Sequence, residues 1–228
     1  MNAAEAIQLP LDLSHRPAFD RADFLVAPSN EAAVTMIDSW PDWHMHALIL
    51  HGPAASGKSH LGAVWQARSR ANRITPDTLE NVDSAIAESG HILFESGDFA
   101  IGTREGEADL LHIYNMIREM GGSLVMTMRA RPHGLDFALP DLASRLRAVS
   151  TVAIQQPDEH LLAAIIVKMF NDRQLHISTE VLNYILPRME RSFAAAHNLV
   201  DAADKRALAE KRAITVPLVR QIMMEQGV

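Results

Sequence analysis

The chain has 228 residues, of which 48% are apolar, a formal charge of −7 and no cysteine; it is long enough for one α/β domain plus a smaller second one. The lack of cysteine excludes disulfides, thiolate metal sites and cysteine nucleophiles, and is compatible with a reducing cytoplasm. The acidic balance argues against broad, nonspecific nucleic-acid binding, no apolar run reaches the length of a membrane span, and the start at Met1 has neither the basic nor the long apolar part of a secretory signal.

In chain order, Gln8-Leu9-Pro10-Leu11-Asp12-Leu13 is an apolar hexapeptide within an otherwise polar leader. Pro10 and Pro17 disfavour a helix. Leucines on alternate positions of an extended segment suit either docking into a groove on another protein or folding back on the chain's own domain. Residues 30–37 read as a helix capped by Ser29 or Asn30 and broken by Trp40-Pro41. His44 and His46 lack spaced partners for a metal site and read as loop residues.

Ala47-Leu48-Ile49-Leu50 reads as a buried strand. It runs into Gly52-Pro53-Ala54-Ala55-Ser56-Gly57-Lys58-Ser59, which a helix follows to about Arg70. Strand, glycine-bounded turn and helix are what a phosphate-binding loop requires. The glycines let successive N–H groups turn around an anion, and the helix directs its positive end at the same point. Lys58 then reaches the β- and γ-phosphates, and the Ser59 hydroxyl ligates magnesium.

Residues 73–89 hold a short segment and a small helix. His91-Ile92-Leu93-Phe94-Glu95 is a second buried strand ending in an acid. After a phosphate loop, a carboxylate in that place organises magnesium and its water shell, which assigns Glu95 to the metal. Residues 110–118 form an amphipathic helix stopped by Gly121-Gly122. Leu124 to Met128 is a third strand, whose Thr127 either bonds the γ-phosphate or attacking water or is a satisfied core hydroxyl. Residues 141–147 form a short helix displaying Arg145 and Arg147, and Thr151 to Ile154 a fourth strand. From Pro157 the pattern is helical only. The expected fold is therefore an α/β domain with a mainly parallel sheet covered on both faces, followed by a small all-α lid. The expected division is 1–17 leader, 18–156 α/β domain and 157–228 lid, and no repeats appear.

Together these residues resemble the AAA+ module of the bacterial replication initiator DnaA and, more closely, its short homologue Hda. The resemblance rests on GPAASGKSHL (52–61, including His60), SLVMTMRARP (123–132), LASRLRAVSTVAI (142–154) and ITVPLVRQIM (214–223), and spans nearly the whole chain. It implies a nucleotide, ADP or ATP with Mg2+, held between sheet domain and lid, with Phe24 and Leu25 closing over the adenine. It gives Thr127 the sensor 1 place and Arg145 the place of an arginine finger acting in trans, with Arg147 as the neighbouring candidate. It implies that Gln8, Leu9, Leu11 and Leu13 bind the β subunit sliding clamp of DNA polymerase, and that the partner is DnaA. The helix-turn-helix domain of the initiator is lacking, so no sequence-specific DNA binding is expected, nor any membrane; self-association is possible.

Two departures limit the carry-over. Ser96 stands where the family has a second acid, and Ala195 where the initiator has a phosphate-binding arginine, an arginine that the short homologue generally lacks as well. Both losses weaken hydrolysis more than binding, because positioning water and stabilising transition-state charge are their tasks. The expectation is a nucleotide-binding regulator rather than a vigorous ATPase. The alternatives are an autonomous AAA+ ATPase or loader that remodels nucleic acid and, behind it, a small-molecule kinase on the same loop.

Overall fold

In the computed structural model, which describes residues 25–227, the apolar runs lie side by side in one parallel sheet. The strands are β1 (Ala47–His51), β2 (Asn72–Ile74), β3 (His91–Phe94), β4 (Ser123–Met128) and β5 (Ser150–Ala153), in the order β2-β3-β4-β1-β5. All pairings are parallel, so all strands end at one edge, where a doubly covered α/β sheet places its ligands. The strand β2 is one that the sequence reading passed over as a short segment. Three residues, Asn-Arg-Ile, are too few to display an alternation.

Alternate side chains divide the sheet's two faces. Ile49, Ile92, Phe94, Leu124 and Met126 pack with α3 (Val82–Ser89), α4 (Arg104–Glu119) and α5 (Pro140–Ala148). Leu48, Leu50, Leu93 and Val125 pack with α1 (Glu31–Asp38) and α2 (Lys58–Ser69), around the fully buried Trp65. Both faces are therefore apolar, as parallel strands require.

The rest of the chain is a separate helical core, built by α6 (Glu159–Asp172), α7 (Thr179–Ile185), α8 (Phe193–Glu210) and α9 (Val216–Glu225) around Phe170, Leu199 and Leu218. The side chains of Asp158, Ser178 and Ser192 cap three of these helices, accepting from Leu161, Val181 and Ala195 N–H. These caps explain where the helices begin, since each satisfies an N–H that the helix itself leaves unpaired. Among the described residues no helix is long and apolar enough to cross a membrane.

Helix α4 starts earlier than its apolar periodicity suggests, because its first turn is fixed by polar contacts. Thr103 caps it, and Glu107 is fully buried. The Glu107 carboxylate accepts from the N–H groups of Gly102 at 2.9 Å, Ala138 at 2.8 Å and Leu139 at 2.6 Å. It thereby ties the segment before α5 to α4 and sets where the arginine-bearing helix begins. Glu107→Ala leaves three part-buried donors without an acceptor, each worth about 1–3 kcal/mol if unsatisfied. We predict a loss of about 2–4 kcal/mol in urea unfolding, and a change below about 1 kcal/mol would contradict this role for the carboxylate.

Candidate nucleotide site

The loop after β1 is built by close approach. A Cβ on Gly52 would lie 2.0 Å from the Ile154 carbonyl oxygen, so only glycine lets the loop leave β1 beside the end of β5. Gly52 N–H donates to the Met128 carbonyl at 3.2 Å, continuing the β1–β4 pairing one step beyond the sheet. Ala55 (φ 54°) and Gly57 (φ 97°) are left-handed. Left-handed residues within a turn point consecutive N–H groups toward one side and so form an anion-binding nest. The helix α2 begins immediately at Lys58, adding its positive end.

Within this nest, Pro53 and Ala54 are exposed, and Ser56 is buried with no partner for its Oγ. A buried hydroxyl without a partner is costly unless a ligand completes it. Lys58 Nζ is folded back onto its own loop, donating to the carbonyls of Gly52 at 2.8 Å and Pro53 at 2.6 Å. Burial pushes its pKa below the usual lysine range; Asp98 opposes that shift and Arg129 adds to it. Ser59 is exposed in the first helical turn, with His60 half-buried behind it. A nest, a partnerless hydroxyl and an ammonium satisfied only by carbonyls fit a bound phosphate, and the exposed Ser59 hydroxyl fits a magnesium ligand.

Thr127 and Glu95 stand at the same sheet edge as this loop, Thr127 on the strand next to β1 and Glu95 one strand farther. Thr127 pairs with Leu50 across β1, and its Oγ1 accepts the Ser96 N–H at 3.0 Å. Glu95 is 5% exposed and forms an ion pair with Arg73 of β2. Leu25 is half-buried; its carbonyl accepts from Asn30, and the neighbouring Ser29 carbonyl accepts from Gln155 N–H. That places Leu25 near the exit of β5, within the loop's surroundings. Phe24 and the leader residues Gln8, Leu9, Leu11 and Leu13 lie outside the described residues.

The lid meets the loop directly. Phe193, at the start of α8, donates its N–H to the Ala55 carbonyl at 3.3 Å, and its ring stands 3.0 Å from where a Gly57 Cβ would sit. Beside this contact a cleft of about 730 Å³ runs between Ala54, Ala55 and the lid residues Ala195, Asn198 and Lys205. Ala195 thus lines the cleft with a methyl group.

Arg145 lies at the other end of the sheet. It is 5.9 Å from the Tyr114 ring, and Tyr114 is 4.4 Å from His46, the residue before β1. A five-residue strand, about 17 Å at about 3.3 Å per residue, separates that edge from the phosphate loop. Arg145 Nε donates to Asp141 at 3.0 Å, and this bond, more than any other contact, raises its pKa. Arg147 is exposed, with its guanidinium 5.6 Å from the Phe137 ring.

Sequence reasoning missed Asp98, Arg129 and Glu107. Asp98 accepts the Arg129 N–H at 3.3 Å. The only available signal was the acid three residues beyond Glu95, within a Ser-Gly-Asp turn.

Residues 158–223 match the family model described as the Hda lid domain. Domain III of the Thermotoga maritima replication initiation protein DnaA superimposes with a TM-score of 0.76 at 17% identity, over 92% of this chain and 97% of that one. The AMPPCP-bound DnaA of Aquifex aeolicus gives 0.70 at 16%, over 86% and 67%. An uncharacterized protein of Haemophilus influenzae is 23% identical over 186 residues, 75% of this chain and 79% of that protein. The fold is that of the DnaA AAA+ domain, and its helical part carries an Hda-type lid.

The two glycines of the loop should respond unequally. Gly52→Ala places a methyl group onto a backbone oxygen that cannot move without β5, whereas Gly57→Ala meets only the Phe193 ring and a left-handed cost of about 1–2 kcal/mol. In urea titrations Gly52→Ala should be the more destabilising; equal effects would contradict the packing described for Ile154.

Proposed function

We propose that this chain, an Hda-lidded protein with the DnaA AAA+ fold, is a nucleotide-holding regulator of chromosome replication initiation. Nucleotide, ADP in the resting state, sits between the phosphate loop and the lid. Lys58 and the loop N–H groups hold its phosphates, Ser59 and a nearby carboxylate serve magnesium, and residues around Leu25 close over the base. Magnesium held there would neutralise charge on the phosphate oxygens. The contact of Phe193 with Gly57 is the point at which a ligand in the loop fixes the angle of the lid.

The observation that carries the regulatory reading is the placement of Arg145. It stands about a strand length from its own loop, so it cannot stabilise charge on its own nucleotide. It is available to the γ-phosphate of a neighbouring molecule. The neighbour is the ATP-bound initiator DnaA, a reading supported by the Hda-type lid and the DnaA-like fold. The leader Gln8 to Leu13 engages the sliding clamp, its leucines filling apolar pockets and Gln8 bonding at one edge. A trans arginine accelerates nucleotide hydrolysis by about 10³- to 10⁵-fold in other systems. The Asp141 bond and the Tyr114 ring hold the guanidinium until a neighbour docks. The cleft-lining Ala195 and the missing acid at Ser96 support binding without rapid turnover in this chain.

The test is ATP hydrolysis by the initiator in the presence of DNA-loaded clamp. Arg145→Ala should remove the stimulation while ADP and clamp binding persist, and Arg147→Ala should retain most of it. The reverse order would make Arg147 the finger, and stimulation surviving both changes would end the trans-arginine account. Alanine at Gln8, Leu11 and Leu13 should abolish clamp binding without lowering the melting temperature.

A further inference from the structure

The acid assigned to magnesium on sequence grounds is Glu95, yet its carboxylate is engaged by Arg73 on the far-edge strand β2. The chain then turns sharply. Ser96 is left-handed, with φ 57°, a conformation that costs a non-glycine residue roughly 1–2 kcal/mol and persists only where neighbours enforce it. Its N–H is held by Thr127 Oγ1 at 3.0 Å. The 3₁₀ turn Gly97–Ala100 follows, and from it Asp98 Oδ1 accepts the Arg129 N–H at 3.3 Å. Two hydrogen bonds therefore fasten the segment after β3 across the end of β4.

This fastening brings Asp98 to the phosphate loop. Arg129 follows Met128, whose carbonyl holds the Gly52 N–H. Asp98 is thus bonded to the residue next to the one that anchors the first glycine of the nest. Its negative charge is felt at Lys58. Among the described residues the only hydrogen bond of its side chain is the one through Oδ1, so Oδ2 has no protein donor. A carboxylate with one oxygen fixed and the other open suits the usual magnesium arrangement, in which acids hold the metal through its waters.

We infer that Asp98 is the carboxylate that organises magnesium on a nucleotide held in the loop, the role that the sequence alone gives to Glu95. The inference rests on the nucleotide reading above. Asp98 fixes the metal's water shell from the β4 side, while Glu95 remains chiefly the structural partner of Arg73.

The full chain would be titrated with a fluorescent ADP analogue, in magnesium and in EDTA, as wild type, Asp98→Asn and Glu95→Gln. Loss of an outer-shell partner typically costs about 10- to 100-fold in metal affinity. Asp98→Asn should therefore lower the magnesium affinity of the nucleotide complex by about tenfold or more. In EDTA the same variant should bind the analogue as tightly as wild type or more tightly, since a negative charge near the phosphates is gone. Glu95→Gln should leave the magnesium effect closer to wild type. Equal weakening of Asp98→Asn in both buffers would reduce Asp98 to a prop for Arg129 and overturn the inference. An unchanged magnesium effect would also overturn it, with the nucleotide reading left standing. A wild-type chain that binds no analogue in either buffer would overturn both.

Discussion

The distance between the Gly52 α-carbon and the Ile154 carbonyl governs the architecture of this molecule. The missing side chain lets the loop leave β1 tight against the end of β5, where a methyl group would stand only 2.0 Å from the oxygen. Met128 receives the Gly52 N–H on the other side. The first residue of the loop is therefore clamped between both strands that flank β1. At its far end the same loop is met by Phe193 of α8, through a backbone bond to Ala55 and a ring on Gly57. Sheet and lid thus share one stretch of backbone as a joint. Anything that orders that stretch acts on both.

On the proposed reading, charge around the joint separates holding from hydrolysis. The loop keeps Lys58, the helix end of α2 and an exposed Ser59. Across the cleft the lid offers Ala195, and behind Glu95 the chain offers Ser96. Groups that bind phosphate act in the ground state, whereas those that place water or meet developing charge act at the transition state. The second kind is thin here. Arg145 is a strand length away, against Tyr114 at the opposite edge. Glu107 matters to that placement, since two of its three backbone bonds, to Ala138 and Leu139, set the start of α5. On the proposed reading, the chain presents its arginine outward to a partner while its own loop serves as a clasp.

Much of the fold was legible because the dominant signals are local. Continuous apolar runs at 47–50, 91–94 and 124–128 mark strands buried on both faces, and the purely helical pattern after Pro157 marks the second core. The loop was legible because its chemistry is carried by contiguous residues. What escaped was long-range. Asp98 and Arg129 are 31 residues apart and join only because the strand order sets β3 against β4. Glu107 lies ahead of the apolar periodicity at 110–118, and only the fold reveals the backbone donors that its buried carboxylate meets. The pairing of Glu95 with Arg73 was invisible for a similar reason, because β2 is too short to announce itself.

The central claim is that nucleotide held in this loop is retained rather than consumed. ATP turnover by the isolated chain, free of clamp and initiator and compared with Lys58→Ala, tests it most directly. The account predicts that both proteins release phosphate at the same negligible rate, although only the wild type binds ATP. Brisk turnover by the wild type, abolished by Lys58→Ala, would contradict it and return the chain to the autonomous ATPases.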